Sequence, residues 1–522
     1  MPDGKTSIFR NIYDTLKRKM GRPGKDEILE GNIIAVMFKL GWPIMVATFL
    51  RTLYNLVDTI WLGRLPGDEA AYSVAAASQA WSVVFIIMSV EIGMGIAALA
   101  LISQYTGAKK FDKASEYAGQ LYFIIIVLSI ILGAVGYFTS PYLLDLLTGT
   151  GTEAAGLAEY GTAYLQIIFM GIPAMFLFFA FMFILRGWGD NITPMKIVAV
   201  TATLNMIVDP ILIFGSGAAV SLGPLSFTVP TFFGYSIPKL GIRGAAYATI
   251  GTRAMGTIYS IYLMFSGKLG IKLKLSYLIP DITKIMQFIK VGLPASAGRF
   301  FSAMGFLILW AVVYRLPNPK VAGAAYGAGS RILNITFLVT GGVSMAMATM
   351  VGQGLGADLV ERTEKVAKTG LAALAVLMSI IAITIFFTRN ILLGFIVPNQ
   401  PEVISSGAEF LLLFSLSMPF FGIFRGITDI FGGSGHTVQK MILDLTRIWA
   451  FRLIFVFLLG IYLGMADTGV WIGMGISNVV AAALAFTFYS MGWWKEKVIH
   501  QEPVSKTTVS RDKEVQSDQL KK

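Results

Sequence analysis

The 522-residue sequence contains no cysteine and only two histidines. The absence of cysteine excludes disulfide bonds, thiolate metal sites and cysteine nucleophiles, and neither His436 nor His500 has a metal-ligating neighbour in the sequence. Charged residues are also scarce, at 14%, whereas hydrophobic residues make up 55% of the chain. A water-soluble protein of this size needs a more polar surface. These features indicate a membrane protein and argue against an enzyme.

Long apolar runs recur along the whole chain. Runs of about 20 apolar residues cross the ~30 Å hydrocarbon core of a bilayer as helices. We therefore predict an all-α integral membrane protein with twelve transmembrane helices. The predicted spans lie near residues 33–63, 74–104, 118–140, 157–185, 195–214, 244–266, 286–314, 323–353, 367–388, 405–430, 438–463 and 469–493.

Lysine and arginine are concentrated in the N-terminal segment and in the loops after the second, sixth and eighth predicted spans. The loops after the first, third and ninth spans are poorer in basic residues. Because basic loops favour the cytoplasmic side, we expect a multi-pass protein of the cytoplasmic (plasma) membrane with both termini in the cytoplasm. These loops account for the net charge of +12. Without a soluble domain to carry that charge, the sequence predicts a lipid-bilayer partner and no nucleic-acid partner.

The two halves of the chain repeat one another. Residues 41–66 align with residues 292–317, and "SQYTGAKK" at 103–110 resembles "GQGLGADL" at 352–359. Each half contains six predicted spans, and six is even, so both halves cross the membrane in the same direction. This pattern predicts two six-helix bundles related by a parallel internal repeat, with a cavity between them. The aligned identities are Gly41/Gly292, Pro43/Pro294, Arg64/Arg315, Leu65/Leu316 and Pro66/Pro317.

The same pattern divides the chain into five parts. We expect a cytoplasmic N-terminal segment at 1–32, a first lobe at 33–266 and a cytoplasmic linker at 267–285. A second lobe follows at 286–495, and the polar stretch 496–522 is predicted to be a disordered cytoplasmic tail.

Two carboxylates interrupt the apolar spans of the first half. Asp58 lies in "TLYNLVDTIWLGRL" and Asp209 in "TLNMIVDPILIFG", whereas the repeat places Leu309 and Leu453 at the corresponding positions of the second half. A requirement of the fold would appear in both copies. The asymmetry therefore favours a task performed by the first lobe, and ionisable residues at membrane depth usually mark ion or substrate pathways.

The residues around these acids are suited to binding a cation. Asn205 and Asp209 are four residues apart and share a helix face, and Pro210 leaves the carbonyl of Met206 without its helical partner. Asn55 shares a face with Asp58 in the same way. Carboxylate, amide and carbonyl oxygens suit sodium, and two adjacent carboxylates suit a proton. The alternatives left open are that Asp58 is an interfacial acid and that Asp209 with Pro210 forms a kink with a capping role.

The segments "LYNLVDTIWLGRL", "NMIVDPILIFG" and "GIRGAAYATIGT" resemble the multidrug and toxic compound extrusion (MATE) family, in its archaeal or DinF-like branch. The resemblance implies cation-coupled antiport, with Na+ or H+ as coupling ion, no cofactor, and export of small organic, cationic compounds by a monomer. It also implies a cation site in the first lobe at Asp58, Asn205, Asp209 and Thr249. Tyr54, Asn55 and Glu91 are further candidates for a polar cavity. The positions that carry acids in the other branch of the family are Ser302 and Phe421 here.

Two other functions stay open at this point. A flippase for lipid-linked saccharides or phospholipids shares the two-lobe architecture, and a central cavity rich in arginine would favour it. A non-transporting receptor or scaffold would have no need of paired intramembrane acids. A polar interior is predicted in the second lobe, as ion-pair networks or as contacts with an anionic substrate. The residues that predict it are Arg299, Arg331, Asp444, Arg447 and Arg452. Arg425 and Asp429 have the spacing of an ion pair on one helix.

Overall fold

The computed structural model describes residues 20–148, 152–222, 225–230 and 236–499. In these residues twelve long helical segments follow one another and confirm the all-helical architecture. They are α1 Ile33–Leu62, α2 Asp68–Gly107, α3 Phe111–Thr148, α4 Thr152–Trp188, α5 Ile192–Phe214, α6 Ile242–Ser266, α7 Ile282–Val313, α8 Pro319–Gly356, α9 Val360–Ile396, α10 Pro401–Ser434, α11 at 437–462 and α12 Ala466–Ser490.

Ten of these described helices are long and apolar enough to cross a membrane. The other two are α6, which is less apolar, and α11, which is divided. The α-helical parts of α11 are Thr437–Leu445 and Leu453–Val456, and each is followed by a π-helical part, Thr446–Arg452 and Phe457–Tyr462. The apolar pattern predicted an uninterrupted helix here, because hydropathy does not register a change of helical pitch. Wide π-helical turns are frequent at functional sites.

Several helices extend beyond their predicted spans, and one loop contains strands. α2 begins at Asp68 rather than near 74, because Asp68 and Glu69 are favourable in the first turn of a helix. Between α5 and α6, β1 Ala219–Leu222 pairs with β2 Leu225–Thr228 in an antiparallel hairpin, with Ala219 opposite Thr228. This hairpin is the exception to the all-α prediction.

The twelve helices form the two predicted bundles. In the first lobe, α4 packs against α2, α3 and α6, and α5 packs against α1 and α6. In the second lobe, α10 packs in the corresponding way against α8, α9 and α12, and α11 packs against α7. Contacts between the lobes run from α2 to α7 and α8, and from α1 to α8. The parallel repeat therefore organises the packing as well as the sequence.

Both described chain ends lie at the same end of the bundles, which we call the basic face. Trp42 donates a hydrogen bond to the Met20 carbonyl, and the amide of Val498 donates to Gln104 near the end of α2. Ion pairs Lys109–Asp26 and Lys497–Asp358 join the chain ends to the loops of this face.

The basic face is closed by a symmetric contact between the lobes. A Cβ atom added at Gly107 would collide with the backbone of Gln353, and one added at Gly356 would collide with the backbone of Gln104. The amide of Gln104 donates to the Ser434 carbonyl at 2.9 Å, and that of Gln353 donates to Gly187 at 2.9 Å. The segments 103–110 and 352–359, whose sequences resemble each other, therefore meet directly and shut this end of the space between the lobes.

Candidate ion site and central cavity

Three of the four predicted cation ligands contact one another inside the first lobe, and the fourth, Thr249, lines a small pocket together with Asn205. Asp58 comes from α1, Asn205 and Asp209 from α5, and Thr249 from α6. The last three are buried, with 2%, 0% and 1% of their surfaces exposed. The Asn205 amide donates to Asp209 at 3.2 Å, as the spacing of four residues predicts. The carboxyl groups of Asp58 and Asp209 interact with each other across the helix interface.

Each of these four residues has a buried oxygen without a hydrogen-bond donor in the described part of the chain. The atoms are Asp58 Oδ1, Asn205 Oδ1, Asp209 Oδ2 and Thr249 Oγ1. The neighbouring Thr252 differs, because its hydroxyl donates to the Ala248 carbonyl of its own helix at 2.8 Å. Buried oxygens are rarely left unpaired unless a water, ion or ligand satisfies them. The arrangement is therefore suited to a cation.

The ligand types limit which cation fits. Among the described residues, no group of three or more His, Cys, Asp or Glu side chains lies close enough to hold a metal ion. The cluster instead offers two carboxylates, one amide oxygen and one hydroxyl, which are hard oxygen ligands and suit a cation that is bound and released. Two carboxylates in contact repel each other when both are ionised, so the pair also favours a proton.

Arg253, on α6, is a member of this site that the sequence analysis missed. It donates a hydrogen bond to the Tyr54 hydroxyl and lies 5.5 Å from the centre of the Trp81 ring. It also interacts electrostatically with Asp58. It lies four residues after Thr249 and so on the same face of α6, and this spacing was the available signal. Tyr54 is buried, as expected of a cavity residue.

Asn55 and Glu91, the other proposed polar-cavity residues, occupy different surroundings. Asn55 is exposed and lines both a small pocket with Asp58 and the larger cavity between the lobes. Glu91 is fully buried, lines none of the described pockets, and interacts electrostatically with Arg186 and Arg51. Both of its carboxylate oxygens lack hydrogen-bond donors among the described residues.

The second lobe has no equivalent of the acid pair in its described residues. Leu309, the counterpart of Asp58, is a buried core residue, and Phe421 packs its ring against Phe337. The predicted ion pair between Arg425 and Asp429 is confirmed, with Nε 3.1 Å from Oδ2.

The interior of the second lobe also contains Arg452. Its guanidinium donates to Asn478 at 2.6 Å and to Ser477 at 3.1 Å. This arginine is therefore held by neutral side chains rather than by an acid.

A cavity of about 430 Å³ lies between the lobes, as the repeat predicted. α1, α2, α4 and α6 line it from the first lobe, and α7, α8, α10 and α11 from the second. Its charged lining is mainly basic, whereas the family resemblance implies a cationic substrate. The cationic side chains are Arg51, Arg186, Arg253, Arg299, Arg425 and Lys440, and the carboxylates are Asp429 and Asp444.

Comparisons with known proteins agree with this architecture. The chain is 27% identical over 479 residues to "Probable multidrug resistance protein YpnP" of Bacillus subtilis, covering 91% of this chain and 99% of that protein. It is 26% identical to "Probable multidrug resistance protein NorM" of Thermotoga maritima, covering 91% and 96%. A protein named "FAD transporter" from Shewanella oneidensis is 23% identical, covering 81% and 87%.

Solved structures share the fold. A MATE protein in its straight conformation superposes with a TM-score of 0.78 at 21% identity, covering 89% of this chain and 97% of that one. A MOP superfamily transporter from Pyrococcus furiosus, described as having a binding pocket of reverse polarity, gives 0.77 at 20% identity, with the same coverage. The MatE family profile matches residues 43–211 and 294–458, which make up most of both lobes. The chain is thus a multi-pass membrane protein that belongs to the MatE family of multidrug and toxic compound extrusion transporters.

Proposed function

We propose that the protein is a cation-coupled antiporter, which uses an inward flow of Na+ or H+ to export organic compounds by alternating access. The observation that carries this proposal is the set of four unpaired oxygens contributed by Asp58, Asn205, Asp209 and Thr249. Apolar packing alone would not place two acids in contact at this depth, since intramembrane charges are costly and usually functional.

Ion binding at these residues has a direct mechanical consequence. Without a cation, Asp58 on α1 and Asp209 on α5 repel each other, and Asp58 is compensated by Arg253 on α6. A sodium ion or proton removes the repulsion and weakens the attraction to Arg253. The charge state of the pair therefore changes the forces among three helices that line or adjoin the central cavity.

Arg253 connects the ion site to the central cavity. It lines the cavity together with Tyr54 and Trp81, and it interacts with Asp58 at the ion site. A change in the charge of the acid pair therefore changes the electrostatic force on Arg253, whose side chain lines the cavity proposed to hold the transported compound. This connection supports coupling between the two sites, which antiport requires.

The closed basic face fits one stage of an alternating-access transport cycle. With the termini in the cytoplasm of a plasma-membrane protein, the contact of Gly107 and Gly356 with the opposite lobe closes the cavity on the cytoplasmic side. In this proposal the structure represents a state of the cycle that is closed to the cytoplasm. Separation of these segments and closure of the other side would complete the cycle.

A flux assay on the reconstituted wild-type protein tests the proposal. Proteoliposomes are loaded with ethidium or carboxyfluorescein, and sodium and pH gradients are imposed separately. A tenfold gradient of the coupling cation supplies about 1.4 kcal/mol, enough for roughly tenfold accumulation. We expect one of the two gradients to drive uphill movement of a dye. Equal rates with and without both gradients would contradict coupling.

The basic cavity favours one alternative, a flippase for lipid-linked saccharides or phospholipids. Such a substrate carries phosphate, which suits arginine side chains. A flippase would move a fluorescent phospholipid between leaflets in the same vesicles. The two functions are separated by whether a soluble dye or a lipid is moved.

A further inference from the structure

The central cavity contains more positive charge than its own carboxylates can compensate. Its two carboxylates, Asp429 and Asp444, are already paired within the second lobe. Asp429 lies 3.1 Å from Arg425 and 3.5 Å from Lys440, and Asp444 lies 3.3 Å from Lys440. Both acids are therefore occupied by the cationic residues of α10 and α11.

Four arginines remain in the lining without an ion pair among the described residues. Arg51 on α1, Arg186 on α4 and Arg253 on α6 belong to the first lobe, and Arg299 on α7 belongs to the second. Arg253 Nη1 and Arg299 Nε are buried and lack hydrogen-bond acceptors in the described chain. Buried charged donors are expensive to leave unsatisfied.

Glu91 compensates this charge only in part. It interacts electrostatically with Arg186 and Arg51, but it forms no ion pair within 4.0 Å with any described residue, and its side chain is not part of the cavity lining. Asp58 likewise interacts electrostatically with Arg253. Two carboxylates outside ion-pair distance cannot neutralise four guanidinium groups. The lining of the cavity therefore carries a net positive charge.

Aromatic rings accompany the unpaired arginines. The guanidinium carbon of Arg51 is 5.2 Å from the centre of the Phe179 ring, and that of Arg299 is 5.5 Å from the Phe85 ring. A ring supports the face of a guanidinium but leaves its in-plane N–H groups free to bind oxygen anions. The same rings line the cavity and offer apolar surface to a ligand. The remaining arginines, Arg186 and Arg253, lie over Phe183 and Trp81.

We propose that the central cavity binds an organic anion, with a phosphate or carboxylate group held by these arginines and an aromatic or other apolar part held by the rings. The volume of about 430 Å³ suits a drug-sized molecule. This inference names the substrate class of the transport activity proposed above and rests on it. The phosphate can belong to a soluble compound or to a lipid head group.

A charge series on one aromatic ring tests the proposal with the wild-type protein alone. Isothermal titration calorimetry of the full-length protein in phosphatidylcholine nanodiscs compares 1-naphthyl phosphate, 1-naphthol and 1-naphthylmethylammonium. We expect the phosphate to bind at least about tenfold more tightly than the ammonium, because each charge-assisted hydrogen bond contributes about a factor of ten. Equal or tighter binding of the ammonium overturns the proposal.

Arginine variants locate the binding. Arg299→Gln should weaken 1-naphthyl phosphate about tenfold, whereas Arg315→Gln, an exposed arginine just beyond the end of the same helix, should leave it unchanged. Equal effects of the two substitutions would overturn the assignment to the cavity. If Arg299→Gln does not yield folded protein by size-exclusion chromatography, Arg51→Gln is used in its place. The wild-type comparison of phosphate and ammonium ligands decides whether the protein prefers an anion in either case.

Competition distinguishes the two sources of phosphate. Displacement of 1-naphthyl phosphate by farnesyl phosphate in preference to adenosine monophosphate identifies a lipid-linked substrate, and the reverse order identifies a soluble one. Displacement by neither contradicts an anion site.

These experiments measure binding, so their outcome is independent of coupling. If the protein pumps ethidium with a gradient but does not bind 1-naphthyl phosphate, the proposed substrate class is refuted and the proposed antiport is not.

Discussion

At the scale of residues, the first-lobe cluster follows from spacing in some parts and from tertiary contact in others. The contact of Asn205 with Asp209 was predictable, because residues four apart share one face of a helix. The contact of Arg253 with Tyr54 joins residues 199 positions apart, so helix periodicity contains no information about it. The positive charge of the cavity was underestimated for the same reason: Arg51, Arg186 and Arg253 come from three separate helices.

Thr249 and Thr252 provide a matched pair for testing the ion site. The Thr249 hydroxyl has no hydrogen-bond partner in the described chain, whereas that of Thr252 donates to its own helix. Thr249→Val should lower the apparent affinity for the coupling ion about tenfold, because one oxygen ligand is lost. Thr252→Val should change it less than about twofold. The measurement is the dependence of transport rate on ion concentration, and equal effects in the two variants would remove Thr249 from the site.

At the scale of elements, the apolar pattern predicted all twelve helices but not their ends or internal pitch. α2 begins about one and a half turns earlier than its apolar run, since polar residues stabilise a first turn that lies outside the hydrocarbon. The π-helical parts of α11 pack against α12, and the first of them also against α7. A one-dimensional apolar pattern does not register a change of helical pitch. The β1–β2 hairpin lies in a loop whose short strands gave no distinct signal.

The close contact between α2 and α8 at the basic face predicts that a larger residue at this contact disturbs the closed state. Gly107→Ala places a methyl group against the backbone of Gln353, which cannot rotate away as a side chain can. We expect a loss of about 1–3 kcal/mol in stability of the closed state and greater access from the basic face. Gly251→Ala is the control, because a Cβ there meets nothing within 4 Å.

The readout for this test uses the absence of native cysteine. A single cysteine in place of Ala348, a residue of the cavity lining, reports access through modification by a membrane-impermeant maleimide. Faster modification in the Gly107 variant than in the Gly251 variant supports the closed contact. Identical modification rates in both variants would mean that the contact of Gly107 with the Gln353 backbone does not keep the cavity closed at the basic face.

The turn between α10 and α11 predicts a pH effect on stability. Burial lowers the pKa of His436, whose Nδ1 lies 3.1 Å from the Ser434 hydroxyl. Above about pH 6.5 the imidazole is neutral in both folded and unfolded chains, so it contributes nothing. As the pH falls below that value the unfolded chain takes up the proton first, and the folded state loses stability. His436→Gln should reduce the fall in melting temperature between pH 7 and pH 5, and an unchanged fall would contradict the prediction.

At the scale of the whole molecule, the repeat predicted the two bundles and the cavity between them, and its breaks located the candidate site. The lobes share their packing but not their polar interiors: two acids lie in contact in the first, whereas Arg452 is held by Ser477 and Asn478 in the second. The repeated sequence therefore predicted the two bundles, and the positions at which the two copies differ indicated the candidate site at Asp58 and Asp209. The basic lining of the cavity did not follow from the family resemblance, because it depends on individual arginines.

The distribution of basic residues predicts the orientation of the molecule, which single cysteines can test. Ser276 lies at the basic face in the short helix Leu275–Leu278, and Asn399 lies in the turn between α9 and α10. An impermeant maleimide added to intact cells should modify Asn399→Cys and spare Ser276→Cys, with the pattern reversed in inverted vesicles. Modification of Ser276→Cys from outside would place the termini on the other side.

Asp58 and Asp209 are proposed to carry the coupling ion, and uphill transport in proteoliposomes distinguishes this role from a structural one. Asp58→Asn and Asp209→Asn preserve size but remove the titratable charge, and Asp429→Asn is the matched acid of the second lobe. We expect both first-lobe variants to lose accumulation of substrate under the driving gradient. Asp429→Asn should keep the gradient dependence even where its rate falls. If both first-lobe variants accumulate substrate at wild-type rates, the acid pair is structural and the coupling ion binds elsewhere.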